Sequence, residues 1–369
     1  MPIPFTDHTA TNDAVYDDYL EDLKGIFDSG QFIGGPVVQK FEEKFSRFNG
    51  NKYCVGLGSG ADPILSALRV LGIGPGDEVI CPAFGPIAPA EATARLGATP
   101  VFVDCRPDNY TIDVDKALAC MSSRTKAIVP VHLFGQAAEI ERIVQISRTY
   151  SVAVIEDCRH ITGARYGSRR LGTYGEVAAF SFLPEHPLGA AGDAGALTTN
   201  NDEIANLVRR LRDHVQSDSG VYEMIGYGSP MDSLQAALLL QKLQDLDETN
   251  AEIIDNAGLY NSLFSGSSIQ TPPFFQDGSC VYNSYVVQVP ERDKLVAHLQ
   301  QKEIGFAIPY SLPIHLQPCF AYLGNREGAF PVAEDLAKRT LSLPVSGGLK
   351  KRQLELIAET LLNFYGAAI

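Results

Sequence analysis

No stretch of the 369-residue chain is long and apolar enough to span a bilayer. The first residues, Met1-Pro2-Ile3-Pro4-Phe5-Thr6-Asp7, lack the basic and apolar blocks of a secretory signal, so a cytoplasmic protein is expected. Positive charge is scarce, and no clustered run of Lys and Arg would carry a nucleic-acid role. The 44 acids outnumber the 30 bases, for a formal net charge of −14. Such a surface repels nucleic-acid phosphates and anionic membranes, and neither is expected as a partner. There is no HxxH, HExxH, CxxC or paired Cys/His spacing, so no metal site is expected. A Walker loop, a nucleophile elbow and a GxGxxG turn are also missing. The seven cysteines (Cys54, Cys81, Cys105, Cys120, Cys158, Cys280 and Cys319) are odd in number and widely spaced. Most sit in apolar runs such as Tyr53-Cys54-Val55 and read as reduced, buried thiols.

What is present suffices for large cores. Hydrophobic residues make up 45% against 20% charged, over a length that suits two domains. Asp13 to Ser29 and Pro36 to Phe48 read as helices. From Cys54 onward strands and helices alternate. Strands are expected at Cys54–Leu57, Asp77–Cys81, Thr99–Asp104, Ala127–His132 and Val152–Asp157, with a helix after each of the first four. This alternation implies an α/β unit, a mainly parallel sheet covered by helices on both faces. After Ala178-Ala179-Phe180-Ser181-Phe182 the alternation loosens. A long helix over Ser233–Thr249 is expected to lead out of the first unit into a smaller C-terminal α+β domain. The expected division is 1–245 and 246–369. Sheets of this type bind ligands beyond the C-terminal ends of their strands.

The residues at those ends carry the chemistry. Gly58-Ser59-Gly60 lies between a strand and a helix, where amides and a helix N-terminus suit a phosphate; a tight turn without a ligand fits equally well. Asp157 ends an apolar strand, a place for pairing with a cationic ring nitrogen or for a plain structural hydrogen bond. Arg159 and His160 follow directly. His186, within Ser181-Phe182-Leu183-Pro184-Glu185-His186-Pro187-Leu188-Gly189, is of the type used for acid–base chemistry near neutrality, although a lone loop histidine is more often merely solvated. Pro187 restricts its backbone.

Several segments resemble one family. They are Ser29-Gly30-Gln31-Phe32-Ile33-Gly34-Gly35-Pro36, Gly74-Pro75-Gly76-Asp77-Glu78-Val79-Ile80, Val131-His132-Leu133-Phe134-Gly135-Gln136, Ile155-Glu156-Asp157, Gly192-Asp193-Ala194-Gly195-Ala196, Leu234-Gln235-Ala236-Ala237 and Pro313-Ile314-His315-Leu316-Gln317-Pro318. In order and across nearly the whole chain, they look like the DegT/DnrJ/EryC1/StrS sugar aminotransferases. The resemblance implies the fold-type-I architecture of pyridoxal-phosphate enzymes, a homodimer and a nucleotide-linked keto-sugar as substrate. It implies that Asp157 matches the carboxylate paired with the cofactor's pyridine nitrogen. Ser181, with Ser59 and Gly60, matches the phosphate site. The departures are at least as informative. The family's Schiff-base lysine falls at His186, and a phosphate-binding threonine at Ala61. The ring-stacking aromatic falls at Pro86, and a glutamine near the ring hydroxyl at His160. An asparagine and an arginine from the partner subunit fall at Gly228 and Pro230.

A transaminase needs a lysine amine for its imine and its proton shuttle, and imidazole does not replace it. Three readings follow. In the first, the chain is an acid–base enzyme of dehydration, isomerisation or cyclisation type. It acts in the old cofactor cleft on a sugar nucleotide or related metabolite, with His186 as base or acid beside Asp157, Arg159 and His160, and with no cofactor. In the second it is a dehydratase that holds pyridoxal or pyridoxamine phosphate noncovalently, as relatives with histidine at this position do. In the third it is a non-catalytic partner protein that kept the fold.

Overall fold

A computed structural model describes residues 2–7, 9–214, 221–222, 225–273 and 280–366. Its centre is a seven-stranded sheet. The strands are β1 (Tyr53–Leu57), β2 (Glu78–Pro82), β3 (Thr99–Val103), β4 (Thr125–Ile128), β5 (Ala153–Asp157), β8 (Val177–Ser181) and β9 (Gly195–Thr199), with β6 (Arg165–Tyr166) and β7 (Arg169–Arg170) forming a small ribbon outside it. The order across the sheet is β1-β9-β8-β5-β4-β2-β3. All neighbours pair in parallel except β9, which runs antiparallel to both β8 and β1. Strands β2, β8 and β9 are buried at every residue, as expected of a sheet covered on both faces. Alternation sorts the side chains: Val79, Cys81 and Ile155 enter the core on one face, Ile80 and Val154 that on the other.

A third core belongs to the C-terminal part. It gathers Tyr260, Tyr282, Tyr285, Leu295, Leu341 and Leu361 around the antiparallel pair β10 (Tyr285–Gln288) and β11 (Thr340–Leu343). The N-terminal end joins this core. Ile3 packs into it and exchanges backbone hydrogen bonds with Glu303 and Gly305. No described helix is long and apolar enough to cross a membrane.

Two expected helices are divided. Asp13–Ser29 becomes Thr9–Ala14 and Tyr16–Ser29, interrupted at Val15. Ser233–Thr249 becomes Ser233–Lys242, a turn, and Leu246–Leu263. The turn has a packing cause: Leu243 and Leu246 are held by the large core, whereas Ile253 and Ala257 belong to the C-terminal one. Strand β9 was not expected, because Gly-Ala-Leu-Thr-Thr shows neither alternation nor an apolar run. Of the cysteines, five are buried; Cys120 and Cys319 are exposed, and all seven are free thiols.

Candidate active site

Strands β5 and β8 are neighbours, and their C-terminal ends deliver Asp157 and Ser181 to one place. The Asp157 side chain is 0% exposed. It accepts the Arg159 Nε–H at 2.9 and 3.0 Å on its two oxygens, and the Arg159 backbone N–H at 3.2 Å. Burial opposes the guanidinium charge, but Asp157 outweighs it and raises the Arg159 pKa above its ordinary value. The carboxylate that the resemblance assigns to a cofactor ring nitrogen is therefore engaged by a cation of its own chain.

His160 and His186 stand edge to face, ring centroids 5.8 Å apart. His186 is 6% exposed, and its Nδ1 lies 2.8 Å from the Ser181 carbonyl oxygen. A carbonyl only accepts, so Nδ1 carries the hydrogen and neutral His186 keeps its lone pair on Nε2. His160 has the opposite tautomer. Its Nδ1 accepts the Phe134 backbone N–H at 3.4 Å, which leaves its hydrogen on Nε2. Burial lowers the pKa of His186, opposed by the hydrogen bond to Ser181. His160 is pushed well down by burial, then by His186 and Arg159. Both imidazoles are thus held neutral.

Two groups without an assigned role in the sequence complete this wall. Phe134 stacks on His160 (5.9 Å, 13°) and on Tyr310 (5.7 Å, 25°), giving a three-ring stack. Phe134 and Tyr310 both have positive φ, 53° and 52°, which is uncommon for bulky side chains, and nothing in their residue types signals it. Lys242 closes the loop of His186 from behind, its Nζ donating to the Gly189 carbonyl at 2.9 Å. It is 7% exposed, and burial lowers its pKa to about 8. A single lysine following Leu238-Leu239-Leu240-Gln241 was the available signal. His186, Glu185, Lys242, Asn283 and Ser346 line a narrow cavity of about 50 Å³, space for one or two waters.

At the first turn, Gly60 N–H donates to Asp193 Oδ1 at 3.1 Å, and Ser59 Oγ accepts the Asp62 N–H at 3.3 Å. A Cβ on Gly60 would lie 2.2 Å from Ser181 Oγ, so only glycine permits this approach. Ser181 Oγ is buried and has no hydrogen-bond partner among the described residues. Ala61 adds no hydroxyl, and Pro86 is buried. Gly228 has a φ of 59°, and a Cβ there would meet the His214 ring at 2.1 Å.

Elsewhere, donor atoms of His132, Glu156 and Cys158 lie within 4.8 Å of one another, a grouping that sequence spacing did not reveal. These groups have structural duties. Glu156 accepts the amides of Gly172, Tyr174 and Gly175 and faces His132 Nε2, and His132 Nδ1 accepts from Ala138.

The sheet order, the covered faces and the site at the strand ends define the fold of the pyridoxal-phosphate-dependent aminotransferases. The crystal structure of Streptomyces venezuelae DesV in complex with a ketimine intermediate superposes with a TM-score of 0.96 at 34% identity, all of both chains being covered. An aminotransferase from Brucella abortus gives 0.95 at 32%, covering 99% of this chain and 100% of the other. In sequence, residues 14–362 match the DegT/DnrJ/EryC1/StrS aminotransferase family, and the chain belongs to it. It is 38% identical to a pleiotropic regulatory protein of Geobacillus stearothermophilus, over 99% of each chain. It is 36% identical to the UDP-2-acetamido-2-deoxy-3-oxo-D-glucuronate aminotransferase of Pseudomonas aeruginosa, over 92% of this chain and 94% of the other.

Covalently held pyridoxal phosphate, the usual state of the cofactor in this fold, does not fit these residues. Ser181, with its unpaired hydroxyl, suits a phosphate. The opposite end does not suit the ring: Asp157 is paired with Arg159, and His186 offers no amine.

Proposed function

We propose that this chain is an acid–base enzyme of the sugar aminotransferase family that does not transaminate. Its substrate class is the nucleotide-linked keto-sugar, since relatives at 36% identity are named for UDP-linked 3-oxo or 3-dehydro sugars. Hydrogens on carbons beside a ketone are acidic, and their removal opens isomerisation, epimerisation or loss of a β-hydroxyl. His186 is the base. The observation that carries this role is the hydrogen bond from Nδ1 to the Ser181 carbonyl, which fixes the lone pair on Nε2 and supports the imidazolium formed on protonation. Burial keeps the ring neutral and ready to accept. His160, protonated on Nε2, is the adjacent donor. Arg159, Asp157 and the Phe134 stack hold this wall in place.

The rest of the assignment supports a small-molecule enzyme. We take the domain division at 245/246, and the turn between Ser233–Lys242 and Leu246–Leu263 supports it. Exposed Phe27, Phe32 and Ile33 suit burial in a homodimer, and the protein is taken as cytoplasmic. The dehydratase reading with noncovalent pyridoxamine phosphate has Ser181 in its favour and the Asp157–Arg159 pair against it. The test supplies a UDP-linked 3-keto sugar, glutamate and pyridoxal phosphate to the purified protein. Mass spectrometry is expected to show a rearranged or dehydrated sugar with no nitrogen gained. An amino sugar would refute the proposal.

A further inference from the structure

Arg159 is a guanidinium with one of its five N–H donors in use. Its Nε–H is shared by the two Asp157 oxygens, and no described residue accepts a hydrogen bond from Nη1 or Nη2. The side chain is 13% exposed, and neither Nη is among the fully buried atoms without a partner, so these donors stand open to solvent or to a ligand. Asp157 and Tyr310 are the acidic groups that face it, and the Tyr310 phenol is pushed up by burial and stays neutral. Asp157 has turned the guanidinium so that its outer edge is left for something else. Arg159 follows the C-terminal end of β5 by two residues, in the region where sheets of this class receive ligands. His160 and His186, both neutral, adjoin it and do not compete for an anion.

Two parallel N–H groups on a planar cation match the two oxygens of a carboxylate. Asp157 has already balanced one unit of charge, which favours a singly charged carboxylate over a dianionic phosphate. We propose that the outer edge of Arg159 binds a carboxylate of the substrate, and that the chain is selective for nucleotide-linked uronates, sugars whose C6 is a carboxylate. This rests on the reading of the substrate as a nucleotide-linked sugar.

Calorimetry with UDP-glucuronic acid and UDP-glucose tests it, since the two differ only at C6. The unmodified protein is expected to bind the uronate about tenfold more tightly or better, the range of one charge-assisted bidentate contact. Arg159→Lys keeps a cation beside Asp157 but loses the fork, and is expected to lose most of the preference. The double variant Asp157→Asn with Arg159→Gln is expected to lose the preference altogether. Equal binding of the two sugars by the unmodified protein overturns the carboxylate site and leaves the nucleotide-sugar reading standing. Binding of neither overturns both. A preference that survives Arg159→Lys and the double variant takes the site away from Arg159.

Discussion

The Arg159 Nε sits 2.9 and 3.0 Å from the two carboxylate oxygens of Asp157, its neighbour by two residues. Side chains two apart on an extended strand share a face, and here the chain turns at the strand end, so a short local contact satisfies a fully buried acid. The pair needs no partner from outside the chain. The proposal of chemistry without transamination rests on this pair together with His186.

Breaking that pair from one side leaves a buried charge. Arg159→Ala is expected to destabilise the fold by about 3–5 kcal/mol in urea unfolding, and adding Asp157→Asn to recover a large part of the loss. Strictly additive effects would show that the two side chains do not depend on each other.

The orphaned hydroxyl gives a prediction of opposite sign. Ser181→Ala removes a buried group without a partner and is expected to leave stability unchanged or raise it by about 1 kcal/mol. Gly60→Ala places a methyl against the same oxygen and is expected to destabilise, with only partial relief in the double variant because the residue-181 Cβ would still lie 2.7 Å from that methyl. Thermal melts of the three proteins decide this. A clear loss in Ser181→Ala would reveal an internal partner for the hydroxyl.

Acid is expected to affect activity and stability together. Folded His186 and His160 titrate below the ordinary value of 6.5, so an unfolded chain binds more protons as pH falls through that value. Stability contributed by keeping both rings neutral is full above 6.5 and is lost as pH drops towards their folded values. The acid limb of the rate should likewise lie below 6.5 and vanish as a titration in His186→Gln. An acid limb above 6.5 would contradict the neutral pair.

Lys242 reports at the other end of the scale. Folded Lys242 releases its proton at about 8 against an ordinary 10.5. Between these values the unfolded chain holds the extra proton, so stability rises with pH across the window and is flat below it. Relative to Lys242→Met, the natural protein is expected to gain about 1–2 kcal/mol from pH 8 to 10, short of full linkage because the amine keeps some solvent. A difference independent of pH would mean that the amine is well solvated.

Much of this was legible before the structure. The alternation from Cys54 to Asp157 fixes the parallel sheet, and the rule that ligands meet strand ends points to Ser59, Asp157 and Ser181. What stayed hidden has physical causes. Strand β9 is recognisable only by its burial between β1 and β8. Phe134 and Tyr310 are brought together by backbone conformations that residue type does not announce. The Asp157–Arg159 contact depends on which way one side chain turns. Sequence placed the two acids and bases together, but not which of them were already spent on each other.

In the proposed function, His186 Nε2 removes a proton from a carbon of the substrate. The most direct measurement of this step is solvent-deuterium exchange into a UDP-linked 3-keto sugar, followed by NMR without added pyridoxal phosphate or glutamate. Deuterium is expected at a carbon beside the ketone with the natural protein, and exchange reduced by about 10²–10⁴-fold in His186→Gln, the usual range for losing a general base. Exchange at an equal rate in both proteins, or exchange that begins only when pyridoxal phosphate is added, would contradict it.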